Sequence, residues 1–175
     1  MGHAVIGTQR KRRRWMALAL VVTAQFMVIL DVTIVNVALP SIQRDLGFAQ
    51  ENLQWVITAY TIMFGGTLLL GGRLADLLGR RRLLLVGLAL FSFSSLLCGL
   101  AWSESSLIAF RAVQGLGAAL LVPAALALLM MTFTEGHERN LALGIYGAAA
   151  GSGAAVGVLL GGLLTTYLSW PWISS

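Results

Sequence analysis

The chain has 175 residues, 58% of them hydrophobic and 11% charged, with a formal net charge of +5 and a mean hydropathy of +0.84. A soluble domain of this size carries about 25% charged residues, so the composition is that of a membrane protein. The positive charge does not point to nucleic acid, because the basic residues sit in short clusters, Arg10 to Arg14 and Arg80 to Arg82, with no amphipathic recognition helix or aromatic-interleaved basic face.

The first element is an apolar run over residues 15–39, preceded by Arg10-Lys11-Arg12-Arg13-Arg14 and followed by Pro40. A basic segment before an apolar run has the form of a signal peptide. This run is too long for a signal core and lacks a small-x-small cleavage site, so it reads as a retained spanning helix. Asp31 is the one charge within it. Hydrocarbon does not hydrate a carboxylate, so an acid here must be protonated, paired or turned to a wet cavity, which makes Asp31 a candidate functional residue.

Residues 53–74, 83–102, 107–133 and 141–168 give four further runs near or above the ~20 residues that ~30 Å of hydrocarbon requires. The expected architecture is therefore all-α integral membrane, with five transmembrane helices over residues 15–175 after a basic segment at 1–14. The connectors at 41–52, 75–82, 103–106 and 134–140 carry most of the charge. The N-terminal segment and the second and fourth connectors share one side and hold nine of the twelve basic residues. By the positive-inside rule that side is cytoplasmic. Trp170 and Trp172, past the fifth run, suit an interfacial aromatic belt.

Between the second and third runs lies Gly71-Gly72-Arg73-Leu74-Ala75-Asp76-Leu77-Leu78-Gly79-Arg80-Arg81-Arg82. Gly72 is expected to let the helix end pack closely and Gly79 to permit a tight reversal. Topology alone accounts for Arg80, Arg81 and Arg82. Asp76, an acid among cations at a helix end, is placed to make a specific pair.

In the fourth run Arg111 precedes Gln114, Gly115 and Ala118 at spacings of three, four and seven, a polar and small stripe on one helical face. Arginine stays charged at any relevant pH, so it needs a carboxylate, a wet cavity or a short reach to the interface. Arg111 lies about 9 Å and Asp31 about 12 Å inside the same boundary. Opposite charges at one depth invite pairing. A nearby cation would favour the ionised carboxylate while burial would oppose it, making Asp31 switchable. Gln25 and Asn36 share a face of the first helix about 120° from Asp31 and suit helix packing.

The fifth run is dense in glycine. Gly153, Gly157 and Gly161 form one G-x-x-x-G-x-x-x-G stripe, with Gly162 beside it, and Gly144, Gly147 and Gly151 lie on another face. Small residues on two faces are expected to admit two neighbours. Cys98, the only cysteine, reads as a small buried core residue, and His3 and His137 stand too far from other ligand types to suggest a metal. No nucleophile, dinucleotide or phosphate-binding motif occurs, so an enzyme is not expected.

Taken together, four strings resemble the major facilitator superfamily, and within it the fourteen-span drug:proton antiporters of the EmrB/QacA type. Residues 30–40 look like that family's first-span signature. Residues 72–82 resemble the loop signature G-x-L-a-D-r-x-G-r-r, with Leu77 where arginine is common. Residues 111–119 match R-x-x-q-G-x-g-a-a. Gly144, Gly153, Gly157, Gly161 and Gly162 fit the antiporter signature, with Val158 where the pattern has proline.

The resemblance implies proton-driven efflux of cationic or amphipathic small molecules across the plasma membrane, with no cofactor beyond the proton gradient. Asp31, Arg111 and Gln114 would serve proton or substrate coupling. Gly72, Asp76, Gly79, Arg80 and Arg81 would form a cytoplasmic gate, and the fifth-helix glycines an interdomain seam. Such transporters have two bundles, so five spans correspond to an incomplete N-terminal six-helix bundle whose partners are the bilayer and the missing helices of the same transporter. Trp170-Pro171-Trp172 resembles a W-R-W-I-F signature that breaks off into Ile173-Ser174-Ser175, which suggests a truncated or partial reading. The alternatives are a facilitator that imports a solute, which Val158 would suit, and a non-transporting remnant or a subunit completed by another chain.

Overall fold

The computed structural model describes residues 2–47 and 49–167. They form five helices, α1 (Gly2–Leu46), α2 (Gln50–Leu78), α3 (Arg80–Gly99), α4 (Glu104–Thr132) and α5 (His137–Tyr167). All five are long and apolar enough to cross a membrane. The aromatic belt expected at Trp170 and Trp172, and the W-P-W string, lie outside the described residues.

The helix ends follow from local chemistry. Gly79 has φ +90°, a backbone region closed to most side chains, and it separates α2 from α3 without a longer loop. Ser103 caps α4: its hydroxyl accepts from the Ser106 N–H at 3.2 Å while the Ser106 hydroxyl accepts from the Ser103 N–H at 3.1 Å. One expected boundary is corrected. Pro40 does not end the first helix, which runs on to Leu46 and takes in residues assigned above to a connector. Proline removes one N–H from the ladder, a loss that a spanning helix tolerates where neighbouring groups satisfy the freed carbonyl. The candidate span within α1, Lys11–Arg44, is 34 residues long. At 1.5 Å per residue this exceeds the ~30 Å hydrocarbon core, so α1 tilts or projects beyond it.

Two packets of helices result. In one, α4 lies along both α2 and α3; in the other, α1 lies along α5. Lipid offers no hydrophobic drive for helix association, so close backbone approach has to supply it. A Cβ on Gly87 would stand 2.7 Å from the Leu121 N, and one on Gly117 would stand 2.7 Å from the Phe91 N, so α3 and α4 meet backbone to backbone. In the second packet a Cβ on Gly157 would stand 2.7 Å from the Thr33 Cβ, and one on Gly161 would stand 2.9 Å from the Val37 Cβ. Gly153 extends this stripe toward Phe26 and Ile29.

One glycine expectation is corrected, and on α5 one of the two expected glycine faces makes contact. Gly71, not Gly72, makes the close approach, to the Ala119 carbonyl of α4; Gly72 faces open space because one residue turns the helix by about 100°. Gly144, Gly147, Gly151 and Gly162 meet nothing within 4 Å. Among the described residues α5 packs extensively on α1 alone, so only one of its glycine faces is used.

The ends bearing Arg14 and Glu138 are tied by polar contacts. The Arg14 Nε donates to the Thr132 carbonyl at 3.0 Å, one of the carbonyls a helix C-terminus leaves unpaired. The same guanidinium stands 3.2 Å from Glu138 and lies over the Phe133 ring. These contacts join α1 to the end of α4 and the start of α5.

The stripe gives a stability test. Gly157→Leu forces a branched side chain onto Thr33 and is expected to lower stability by about 1–3 kcal/mol. Val158→Ala, at a neighbouring exposed position, is expected to change it by less than about 0.5 kcal/mol. Thermal unfolding of the detergent-solubilised protein reads both; equal effects would argue against the α1–α5 contact.

Candidate functional site

Asp31 and Arg111 meet. The Arg111 Nη1 donates to the Asp31 Oδ2 at 2.9 Å, linking α1 to α4 within the membrane-spanning length. The Asp31 and Arg111 side chains are 17% and 2% exposed, so the pair is largely withdrawn from solvent and weakly screened. The same Nη1 donates to the Gln114 Oε1 at 2.6 Å, across one turn of α4. The three residues assigned to coupling thus form one cluster.

Other helices complete it. From α3 the Ser95 hydroxyl donates to the Asp31 Oδ1 at 3.1 Å, so each carboxylate oxygen has its own donor. The Cys98 thiol, one turn further along α3, reaches the Gln114 Oε1 at 3.8 Å. From α2 the buried Tyr60 ring lies under the guanidinium, 4.4 Å from its carbon, a cation–π contact. The Arg111 Nε and Gln114 Nε2 find no acceptor among the described residues. The groups bonded to Asp31 are thus both donors, Arg111 on one oxygen and Ser95 on the other.

The helical faces explain how the residues converge. Arg111, Gln114, Gly115 and Ala118 are all buried, whereas Val113, turned the other way, is 40% exposed. Gly115 abuts the Tyr60 backbone, which brings the Tyr60 ring within reach of Arg111. Gln25 accepts from the Tyr146 hydroxyl at 2.8 Å and so serves α1–α5 packing, while Asn36 is exposed.

The α2–α3 loop is a separate feature. Asp76 pairs with Arg80 at 3.0 Å across Gly79, as the placement of an acid among cations suggested. Asp76 is 65% exposed, so the bond holds the loop's shape and contributes little energy, about 0–1 kcal/mol. Arg81 lines a groove with Asp76, Gly79 and Arg80, and with Arg13 also an aliphatic groove of about 390 Å³ between α1 and α3.

Tyr60, Ser95 and Arg14 escaped the sequence reading, and Cys98 was taken for inert filler. It is buried as expected but bonded to Gln114. The signals were weak. Ser95 is one of two adjacent serines in an apolar run, with Cys98 three positions on, the helical spacing of a common face. Tyr60 lies well inside α2 instead of at the membrane boundary where tyrosine is commonest.

A family model described as Major Facilitator Superfamily matches residues 21–174. The puromycin resistance protein pur8 of Streptomyces alboniger is 58% identical over 160 residues, covering 91% of this chain and 32% of that protein. The cephamycin export protein CmcT of Amycolatopsis lactamdurans is 54% identical over 154 residues, 88% of this chain and 32% of its own length. The methyl viologen resistance protein SmvA of Salmonella typhimurium is 39% identical over 158 residues, 90% and 32% of the two. The chain thus spans about a third of the length of these relatives.

Breaking a buried pair leaves a charge without a partner, which costs about 3–5 kcal/mol. Asp31→Asn and Arg111→Gln are each expected to lower the thermal stability of the full reading frame containing this chain. The double variant is expected to fall short of the summed losses by about 1 kcal/mol or more. Additive losses would show that the two side chains do not interact.

Proposed function

The chain belongs to the major facilitator superfamily, and from that premise we propose that it is the N-terminal part of a proton-coupled transporter that expels drugs or other amphipathic, cationic compounds. The observation that carries this reading is the buried Asp31–Arg111 pair, gripped by Ser95 and Gln114 inside a multi-pass membrane protein. Relatives named for puromycin resistance, cephamycin export and methyl viologen resistance support export over import. The remaining two thirds of such a transporter would supply the other wall of the substrate cavity.

In this reading Asp31 is the proton carrier. The guanidinium of Arg111 stays charged throughout and holds the ionised carboxylate. Protonation of Asp31 cancels the charge that justifies the ion pair, so the bond between α1 and α4 loosens. Gln114 keeps hold of Arg111 in either state. Asp76 and Arg80 with Gly72, Gly79 and Arg81 form the cytoplasmic loop, and residues 1–14 lie on the same side of the plasma membrane, where nine of the twelve basic residues gather. The glycines of α5 that stay open would face helices of the other half.

Val158 does not alter the α1–α5 seam, since it is 53% exposed and its neighbour Gly157 makes the contact. The absence of a proline kink there is therefore compatible with export.

The test is dye efflux from cells expressing the full reading frame. Asp31→Asn, which keeps the shape and cannot exchange a proton, is expected to abolish efflux driven by a proton gradient while the protein still reaches the membrane. Proton-driven efflux at the wild-type rate would remove Asp31 from coupling.

A further inference from the structure

We propose that Ser95 is a positioning residue for the proton on Asp31, its hydroxyl changing from donor to acceptor as the carboxylate is neutralised. This inference rests on Asp31 being the proton carrier.

A guanidinium has donors only, so Arg111 can hold the carboxylate but cannot accept a bond from the neutral acid. A serine hydroxyl carries one donor and two lone pairs, so it can do both. Ser95 touches the Asp31 oxygen that Arg111 leaves free, Oδ1 at 3.1 Å against Oδ2 at 2.9 Å.

The hydroxyl is also placed unlike its neighbours. Thr23, Thr33, Thr61, Ser94 and Thr132 each donate to a carbonyl four residues back in their own helix. Ser95 instead reaches from α3 to α1. The other polar groups facing the site are committed elsewhere. Gln114 Oε1, on α4, accepts from Arg111 and Cys98. Tyr60, on α2, presents its ring to the guanidinium. On α5 the Tyr146 hydroxyl is bonded to Gln25. Among the described residues, Ser95 is the group in contact with Asp31 that can accept a hydrogen bond.

The step balances as follows. A proton from the medium bonds to Asp31 Oδ1. Ser95 keeps its own proton, which turns toward the Phe91 carbonyl one turn back; the Ser94 hydroxyl, which reaches that carbonyl at 3.1 Å, keeps its shorter 2.6 Å bond to the Leu90 carbonyl. The new Asp31 O–H then donates to Ser95 Oγ. Arg111 remains protonated and keeps its bond to Gln114. Deprotonation reverses each movement.

The experiment uses the transporter expressed from the full reading frame and reconstituted in vesicles, with dye exchange followed against pH. Ser95→Thr and Ser95→Val have the same shape and differ in the hydroxyl. A bond to the ionised form is roughly twice as strong as one to the neutral form, so losing the hydroxyl penalises the carboxylate more. The Ser95→Val profile is expected to move about one pH unit toward alkaline values, while that of Ser95→Thr overlays the wild type. Coincident profiles for the two variants would overturn the inference. If neither inserts, Ser95→Ala is read against the wild type, and an unshifted profile overturns it equally. Asp31→Asn separates the two levels of argument. If it keeps proton-driven exchange, the carrier assignment fails; if it loses exchange and Ser95→Val is unshifted, only the role of Ser95 fails.

Discussion

The constraint behind this structure is that neither Asp31 nor Arg111 can stand alone where it is. An ionised side chain near the middle of a bilayer costs about 2.5–3.5 kcal/mol even by the most lenient measure. Arg111 is 1% exposed and cannot shed its proton, so a counter-charge has to be brought to it. The carboxylate comes from a different helix, and this requires α1 to approach α4 at one depth. That approach is possible because the Arg111 face of α4 is otherwise small, with Gly115 and Ala118 one and two turns on. The pair and the small-residue stripe are two parts of one requirement.

The same pair bridges the two packets. Glycine contacts make α2, α3 and α4 one unit and α1 with α5 another, while α1 meets α4 over a shorter length. Within the membrane, the polar bonds that cross between them are Asp31 with Arg111 and Asp31 with Ser95. Arg14 with the Thr132 carbonyl adds a third at the basic end. Packing that depends on backbone fit within each unit resists change, because interiors are bistable instead of continuously deformable. Bonds that depend on charge are the ones a proton can alter.

Much of this was legible in the chain. Five apolar runs, the Asp31–Arg111 depth match and the Asp76–Arg80 pairing all follow from rules that act locally or along one axis, namely span length, helical rise and helical period. The Gly153–Gly157–Gly161 stripe was legible for the same reason. What could not be read was which neighbour each face would meet. Gly71 and Gly72 are indistinguishable in sequence, and only the position of Ala119 selects one. Gly144 and Gly151 look as fit for contact as Gly157, yet they meet nothing among the described residues. Ser95, Tyr60 and Cys98 gain meaning only from Asp31, Arg111 and Gln114, far away in the chain. Pro40 misled because a helix breaker in water is tolerated in a spanning helix, where the alternative is an unsatisfied backbone.

The chemistry of the site also explains why an arginine serves where a lysine would not. A lysine buried to this degree could lose its proton to the medium, and the pair would then hold two titrating groups instead of one. Arg111 keeps the cation fixed, and under the proposed coupling Asp31 is the group that would carry the proton. Its guanidinium also lies over the Tyr60 ring while bonding Gln114 and Asp31, so contacts other than the carboxylate hold it to α4 and α2. The movable partners are then those on the α1 side. If Asp31 carries the proton, as proposed, its neutralisation would leave Arg111 on α4, and the mechanical consequence would fall on α1 and on α5, which is packed to it through glycine. The ion pair would then decide which packet responds.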